Sequence, residues 1–305
     1  MLRYYLLTLW PHIGGFVLGL VAALVVRRRM LGAQDKLTRV FAIIGSAIAL
    51  LVVITPQLLS VFSISTYMQL PLIFRRDYDS QLFFAVPFFV GAVTVALMLV
   101  APIPNAQASG ADLRPRSILS FTRTGAIATI AALSAVAAAL AIAGGRLSTS
   151  DEYGHFRMYY IESGGTTGGV EIYGWFFSVP ALITLAVFLS LTFLTLWRIS
   201  KPRLGSDAEF DTAVRKGRST IVTTAAIAAL VVHLGYVCQH LSGSASLKVG
   251  GRGGFNGAWV EAWTTFAALE STLWVASAIL LMIGIALWSF IFWQAVLGVR
   301  RTARA

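Results

Sequence analysis

The sequence predicts an all-α polytopic membrane protein, a bundle of about seven transmembrane helices with two small extracytoplasmic β-hairpin loops, forming one transmembrane domain over residues 1–305. Three observations predict it. Of the 305 residues, 57% are hydrophobic and 12% charged, and the mean hydropathy is +0.77, whereas soluble chains carry about 25% charged residues. The apolar residues fall in uninterrupted runs of about 20, the length that crosses ~30 Å of hydrocarbon at 1.5 Å per helical residue. Basic residues stand in short blocks between the runs, so the net charge of +11 marks membrane topology and argues against nucleic acid as a partner.

The first run, 4–26, ends at Arg27, Arg28 and Arg29. It is longer than a signal-peptide core and has no small-x-small cleavage site before a polar start, so an uncleaved helix is expected. The second run, 40–64, follows a basic linker that closes at Arg39. The third, 82–103, stops at Pro102 and Pro104, which cannot continue a helix. An alanine-rich fourth run covers 124–143, the fifth 173–197, the sixth 220–242 and the seventh 263–293.

Seven runs put the termini on opposite sides. The linkers 27–39, 104–123 and 198–218 together with the tail hold 17 of the 24 basic residues, and the segments on the alternate side hold 7. Excess basic charge marks the cytoplasmic face, which predicts an outside N-terminus and a cytoplasmic C-terminus. Arginine outnumbers lysine and the helices are rich in alanine, a pattern of GC-rich bacterial genomes, so a bacterial cytoplasmic membrane is expected. Trp175, Trp259 and Trp263 fall near outer ends and Trp197, Trp288 and Trp293 near inner ends, where amphipathic rings meet headgroups.

Between the fourth and fifth runs, residues of high β-propensity flank Gly164, Gly165, Thr166, Thr167, Gly168 and Gly169, a hairpin pattern. Gly250, Gly251, Arg252, Gly253 and Gly254 take the same place between the sixth and seventh runs. The shared layout matches the internal repeats of transporters, but no residue-level identity supports a repeat and two independent loops are favoured. On the cytoplasmic side, Ser206 and Glu209 have capping-box spacing. They predict a short separate helix over 206–217, with Phe210, Ala213, Val214 and Gly217 on one face, serving as an interfacial connector or a docking element.

Depth within the runs singles out four polar side chains. His233 lies about 9 residues below the outer end of the sixth run, or ~14 Å, and Glu270 about 8 residues below that of the seventh, or ~12 Å. His12 and Gln57, beside Pro11 and Pro56, reach a similar layer. An ionisable residue inside a transmembrane run is a functional candidate by default. Glu270, His233, His12 and Gln57 are therefore expected to line one substrate- or proton-binding cavity, with a His233–Glu270 pair loading and releasing the proton. Ala267, Glu270, Trp274, Ser277, Leu281, Gly284 and Trp288 share one face of the seventh run. That run continues to Val299, so a bilayer gripping its C-terminal part would leave Glu270 an ordinary interfacial acid. The bland alternative for each residue is a side chain satisfied within the bundle.

These residues favour a transport-related permease or the membrane subunit of a transport complex, with a separate cytosolic ATPase docking on 198–218, since no nucleotide-binding motif is present. No catalytic motif is found either, and the loop acids Asp151, Glu152, Glu162 and Glu171 are typical of an exposed segment, so no enzyme activity is expected. Cys238 is the sole cysteine, which excludes an intramolecular disulfide and a cysteine-only metal cluster. No cofactor and no metal are expected. The rival reading is a redox subunit holding haem or quinone near His12, His233 and His240. A non-catalytic scaffold or assembly factor is the third.

Overall fold

A helix closes its own backbone hydrogen bonds, which is why apolar runs of this length fold as helices. The computed structural model of the chain describes residues 2–30, 36–61, 81–101, 117–201, 208–253 and 258–298. Its helices are α1 (Leu2–Met30), α2 (Lys36–Val61), α3 (Val86–Val100), α4 (Thr124–Leu147), α5 (Trp175–Ser200), α6 (Ala208–Ala245) and α7 (Glu270–Leu297). Among the described residues, seven helices are long and apolar enough to cross a membrane. Strands β1 (Thr149–Ser150), β2 (Phe156–Ser163) and β3 (Thr166–Glu171) form one antiparallel sheet, and β4 (Lys248–Gly253) and β5 (Ala258–Trp263) another.

Three elements differ from the sequence-based expectation. Residues 208–219 do not form a separate helix, because nothing in them breaks α6. This one helix of 38 residues spans ~57 Å, and a glycine such as Gly217 costs only about 1 kcal/mol within it. The first residues of the expected seventh helix, 263–269, do not belong to it: Trp263 ends β5 and a 3₁₀ turn, Ala267–Leu269, precedes α7. A second 3₁₀ turn, Phe83–Ala85, precedes α3, with Pro87 in the helix's first turn, where its missing N–H has no intrahelical use. The capping pair Ser206 and Glu209 lies outside the described residues and side chains.

The core is built around α6, whose apolar window is 89% buried, against 11% for α4. Small residues make this possible. Ala225, Ala226, Ala228 and Ala229 are fully buried, Gly284 of α7 lies against Val232 and Ala228, and Gly91 of α3 lies against Phe188 and Ala229. Helices α1 and α7 run parallel: Gly14 and Gly15 meet Met282, and Gly19 meets Ala286 and Ser289. Ser289 Oγ donates to the Phe16 carbonyl at 2.8 Å. Gly15 and Gly19 have the spacing that lets two helix backbones approach in a membrane.

At one end of the bundle, arginines satisfy the carbonyls of helix C-termini, which have no intrahelical donors. Arg39 of α2 donates to Ala295 and Val296 of α7 at 2.5 and 2.7 Å. Arg215 of α6, fully buried, bonds the carbonyls of Ile199 and Lys201 at the end of α5 and is paired with Asp211 at 2.8 Å. Arg218 reaches Ala101 at the end of α3 at 3.2 Å, and Thr122 bonds Ser219.

The opposite end carries the hairpins, which pack on each other as a cap. Ser163 Oγ donates to the Val260 carbonyl at 2.9 Å and Tyr159 bonds Thr265 at 3.1 Å. Asp151 holds the base of the first hairpin: its carboxylate accepts the N–H groups of Tyr153 and His155 and the Arg157 guanidinium, at 2.7–2.9 Å. Arg157 also bonds Glu171 at 3.1 Å.

Two outcomes follow from these contacts. A Cβ on Gly19 would fall 2.5 Å from the Ala286 carbonyl oxygen, whereas one on Gly14 would sit 3.5 Å from Met282 Sδ. Gly19→Ala should therefore lower thermal stability in detergent by about 1–3 kcal/mol while Gly14→Ala leaves it unchanged or slightly raised. For Asp151, desolvation pushes the carboxyl pKa up, but the donors from His155, Arg157 and Tyr153 and the charge of Arg157 outweigh it and hold it below the usual 3.8. A lowered acid pKa stabilises the fold above the unfolded value and ceases to do so as pH falls through the folded one. Protection of β2 and β3 from hydrogen exchange, corrected for intrinsic rates, should hold from about pH 7 to 5 and drop below about 3.8. Asp151→Asn should weaken protection throughout and abolish that step.

Candidate functional site

The buried histidine of α6 sits against the start of α3. His233 is 2% exposed, and its Nδ1 lies 2.8 Å from the Phe84 carbonyl oxygen in the 3₁₀ turn. A carbonyl only accepts, so Nδ1 carries the hydrogen. Pro87, three residues on from Phe84, brings no N–H to that carbonyl. The imidazole packs on Phe88 at 4.5 Å and on Tyr173 at 6.1 Å between ring centroids. His240, two turns along α6, meets Phe84 at 5.3 Å and Phe177 at 5.9 Å. The two histidines thus flank one phenylalanine inside an aromatic cluster that Tyr173 and Tyr236 complete.

Glu270 is elsewhere. It is the first residue of α7 and exposed, where a carboxylate complements the positive end of the helix dipole. Ser242 Oγ donates to its backbone carbonyl at 2.9 Å, which sets Glu270 level with Ser242, ~14 Å along α6 from His233. The matched depth expected from sequence fails because the residues counted as the top of the seventh helix form the end of β5 and a 3₁₀ turn. The shared face of α7 divides accordingly: Ser277, Leu281, Gly284 and Trp288 are buried, and Glu270 and Trp274 are exposed.

His12 is buried in α1, which packs along α7, while His233 turns toward α3. The Gln57 side chain lies outside the described residues. Among the described residues, no group of three or more His, Cys, Asp or Glu side chains could hold a metal ion. Cys238 is a buried free thiol on α6.

The segment expected to dock a cytosolic partner is partly used within the fold. Val214, Arg215, Arg218 and Ser219 are buried, whereas Arg198, Lys201 and Lys216 are exposed. Arg215 Nη2 is buried without a hydrogen-bond partner among the described residues. Sequence reasoning missed the internal role of Arg215 and Arg218, for which the signal was two arginines at helical spacing entering an apolar run. It also missed Gly15 and Gly19, for which the signal was the spacing itself.

His233→Leu should destabilise the bundle by about 1–3 kcal/mol by removing a donor from a buried carbonyl. Glu270→Gln should change stability by less than about 0.5 kcal/mol, as exposed substitutions do. Unfolding in detergent monitored by circular dichroism measures both. No known family model, curated protein or solved structure matches this chain.

Proposed function

We propose that the chain is the membrane subunit of a transport complex in a bacterial cytoplasmic membrane, with the arginine-rich end in the cytoplasm and the hairpin cap outside. The distribution of basic residues supports that orientation, as 17 of 24 fall on the arginine-rich side. The observation that carries the reading is the continuity of α6. It runs unbroken from Ala208, beyond the apolar window, into the centre of the bundle. Arg215 and Arg218 tie its first turns to the ends of α5 and α3. A displacement imposed there by a cytosolic ATPase would reach the buried core directly, and Arg198, Lys201 and Lys216 present cations for such a partner. A proton path through Glu270 and His233 is not part of the proposal, because ~14 Å of helix separates them.

A non-catalytic scaffold is the second reading. It is favoured by the engagement of His233 with the Phe84 carbonyl. Photo-crosslinking in native membranes separates the two. A crosslinker replacing Lys216 should capture a nucleotide-binding protein identifiable by mass spectrometry, and one replacing the exposed Ile142 of α4 should not. Capture of no such protein at Lys216 would overturn the proposal in favour of a scaffold. A Soret band in the purified protein would favour the haem reading instead.

A further inference from the structure

The two faces of the second hairpin differ in chemistry. The register pairs Lys248 with Trp263, Gly250 with Glu261 and Arg252 with Trp259. Side chains two apart share a face, so Lys248, Arg252, Trp259, Glu261 and Trp263 all project from one side. The other side packs on the first hairpin: Val249 lies over Gly168, and Gly251 rests on the backbone of Ser163 and Gly164. The outward side stays open. Trp259 is 65% exposed and Trp263 50%, and Lys248 and Arg252 are exposed as well.

This face has a defined internal order. The Trp259 indole covers Gly250, where a Cβ would fall 2.5 Å from the ring, and its Nε1 donates to Glu261 at 3.3 Å. The one acid of the face is thus held against an indole, and among the described residues neither Lys248 nor Arg252 has a salt-bridge partner. The face also sits at a defined level. Thr264 Oγ1 donates to the Ala245 carbonyl at 3.1 Å, which fixes the foot of β5 at the last residue of α6, a few residues before α7 begins. Tryptophan with lysine and arginine at the end of an apolar helix is the composition of a membrane interface.

We propose that this face lies on the lipid surface and binds anionic phospholipid headgroups, with Lys248 and Arg252 meeting phosphate oxygens and Trp259 and Trp263 seated at headgroup depth. Net positive charge selects that occupant. A second copy of the same face would set excess positive charge against excess positive charge. The inference rests on the membrane placement of α6 and α7 and is independent of the transport reading.

Tryptophan quenching in vesicles of phosphatidylcholine tests it, using the full chain and about one-fifth of the lipid as brominated phosphatidylglycerol or brominated phosphatidylcholine. Two surface cations should enrich the anionic lipid locally, so the wild type should show at least about threefold more quenching of these indoles by the anionic probe. That excess should vanish in K248Q/R252Q and in W259F/W263F, whose substitutions lie at exposed positions. Equal quenching by the two probes in the wild type, or an excess that survives K248Q/R252Q, would overturn the proposal. An oligomer that dissociates in W259F/W263F would assign the face to a second copy and overturn it as well. Absence of quenching by either probe in every variant would instead remove the membrane placement beneath it.

Discussion

The end of a helix is its weakest part in an apolar surround, because the last carbonyls have no partner in the helix and no water to replace one. Guanidinium groups answer that need at one end of this bundle. Arg39 serves α7, Arg215 serves α5 and Arg218 serves α3. Each arginine comes from the first turns of a helix that leaves this end and reaches the last turn of one that arrives there, so its charge also lies against the negative end of the neighbouring dipole. Alternating helix direction makes the arrangement possible. Three of the basic residues that a topology count treats as markers are therefore structural donors, and Asp211 keeps the most deeply buried of them from standing as an uncompensated charge.

Clamping at both ends fixes the rotation of α6. Arg215 and Arg218 hold it at one end, and at the other Ser242 bonds Glu270 and Ser244 bonds Glu171 at 2.7 Å. With the rotation fixed, the alanines at 225–229 meet the neighbouring helices and His233 falls beside the 3₁₀ turn that opens α3. The turn and the histidine fit each other chemically. Pro87 cannot donate to the turn, and the imidazole that would otherwise be a costly buried group does so.

The apolar runs and glycine-rich turns were legible because hydropathy, length and turn chemistry are local properties of the chain. What failed was set by contacts between distant segments. The apolar fourth run covers 124–143, yet α4 continues through Gly144 and Gly145 to Leu147. These glycines admit the Tyr173 carbonyl and the Trp175 ring, which occupy the space a Cβ would need. Residues 263–269 extend the apolar run of the seventh helix, and hydropathy alone does not separate a strand end and a 3₁₀ turn from a helix turn. The misplaced depth of Glu270 came from that ambiguity. Depth along a run does not say which neighbour a side chain faces: His233 turns to the Phe84 carbonyl and the Phe88 ring, contacts that position along a single run does not contain.

The hairpins bear on the same point from the other end of the molecule. Sequence did not set the two hairpins against each other, yet they interlock through backbone: Gly164, at φ +55°, lies against Gly251 and Arg252, and Gly251 against Ser163. Side chains there would hold the strands apart, so the glycines serve close packing as well as turning. Interlocking ties the start of α5 to the start of α7 across the bundle, and it leaves each hairpin one outward face. The first hairpin ties Asp151, Arg157 and Glu171 into one cluster. Among the described residues the second has no such cluster, and its cations stay at the surface beside two indoles. Both hairpins are tied to the end of α6, through Glu171 and Thr264, and they differ in surface: the first gathers charges into a cluster, and the second turns its cations outward at the level of the helix ends.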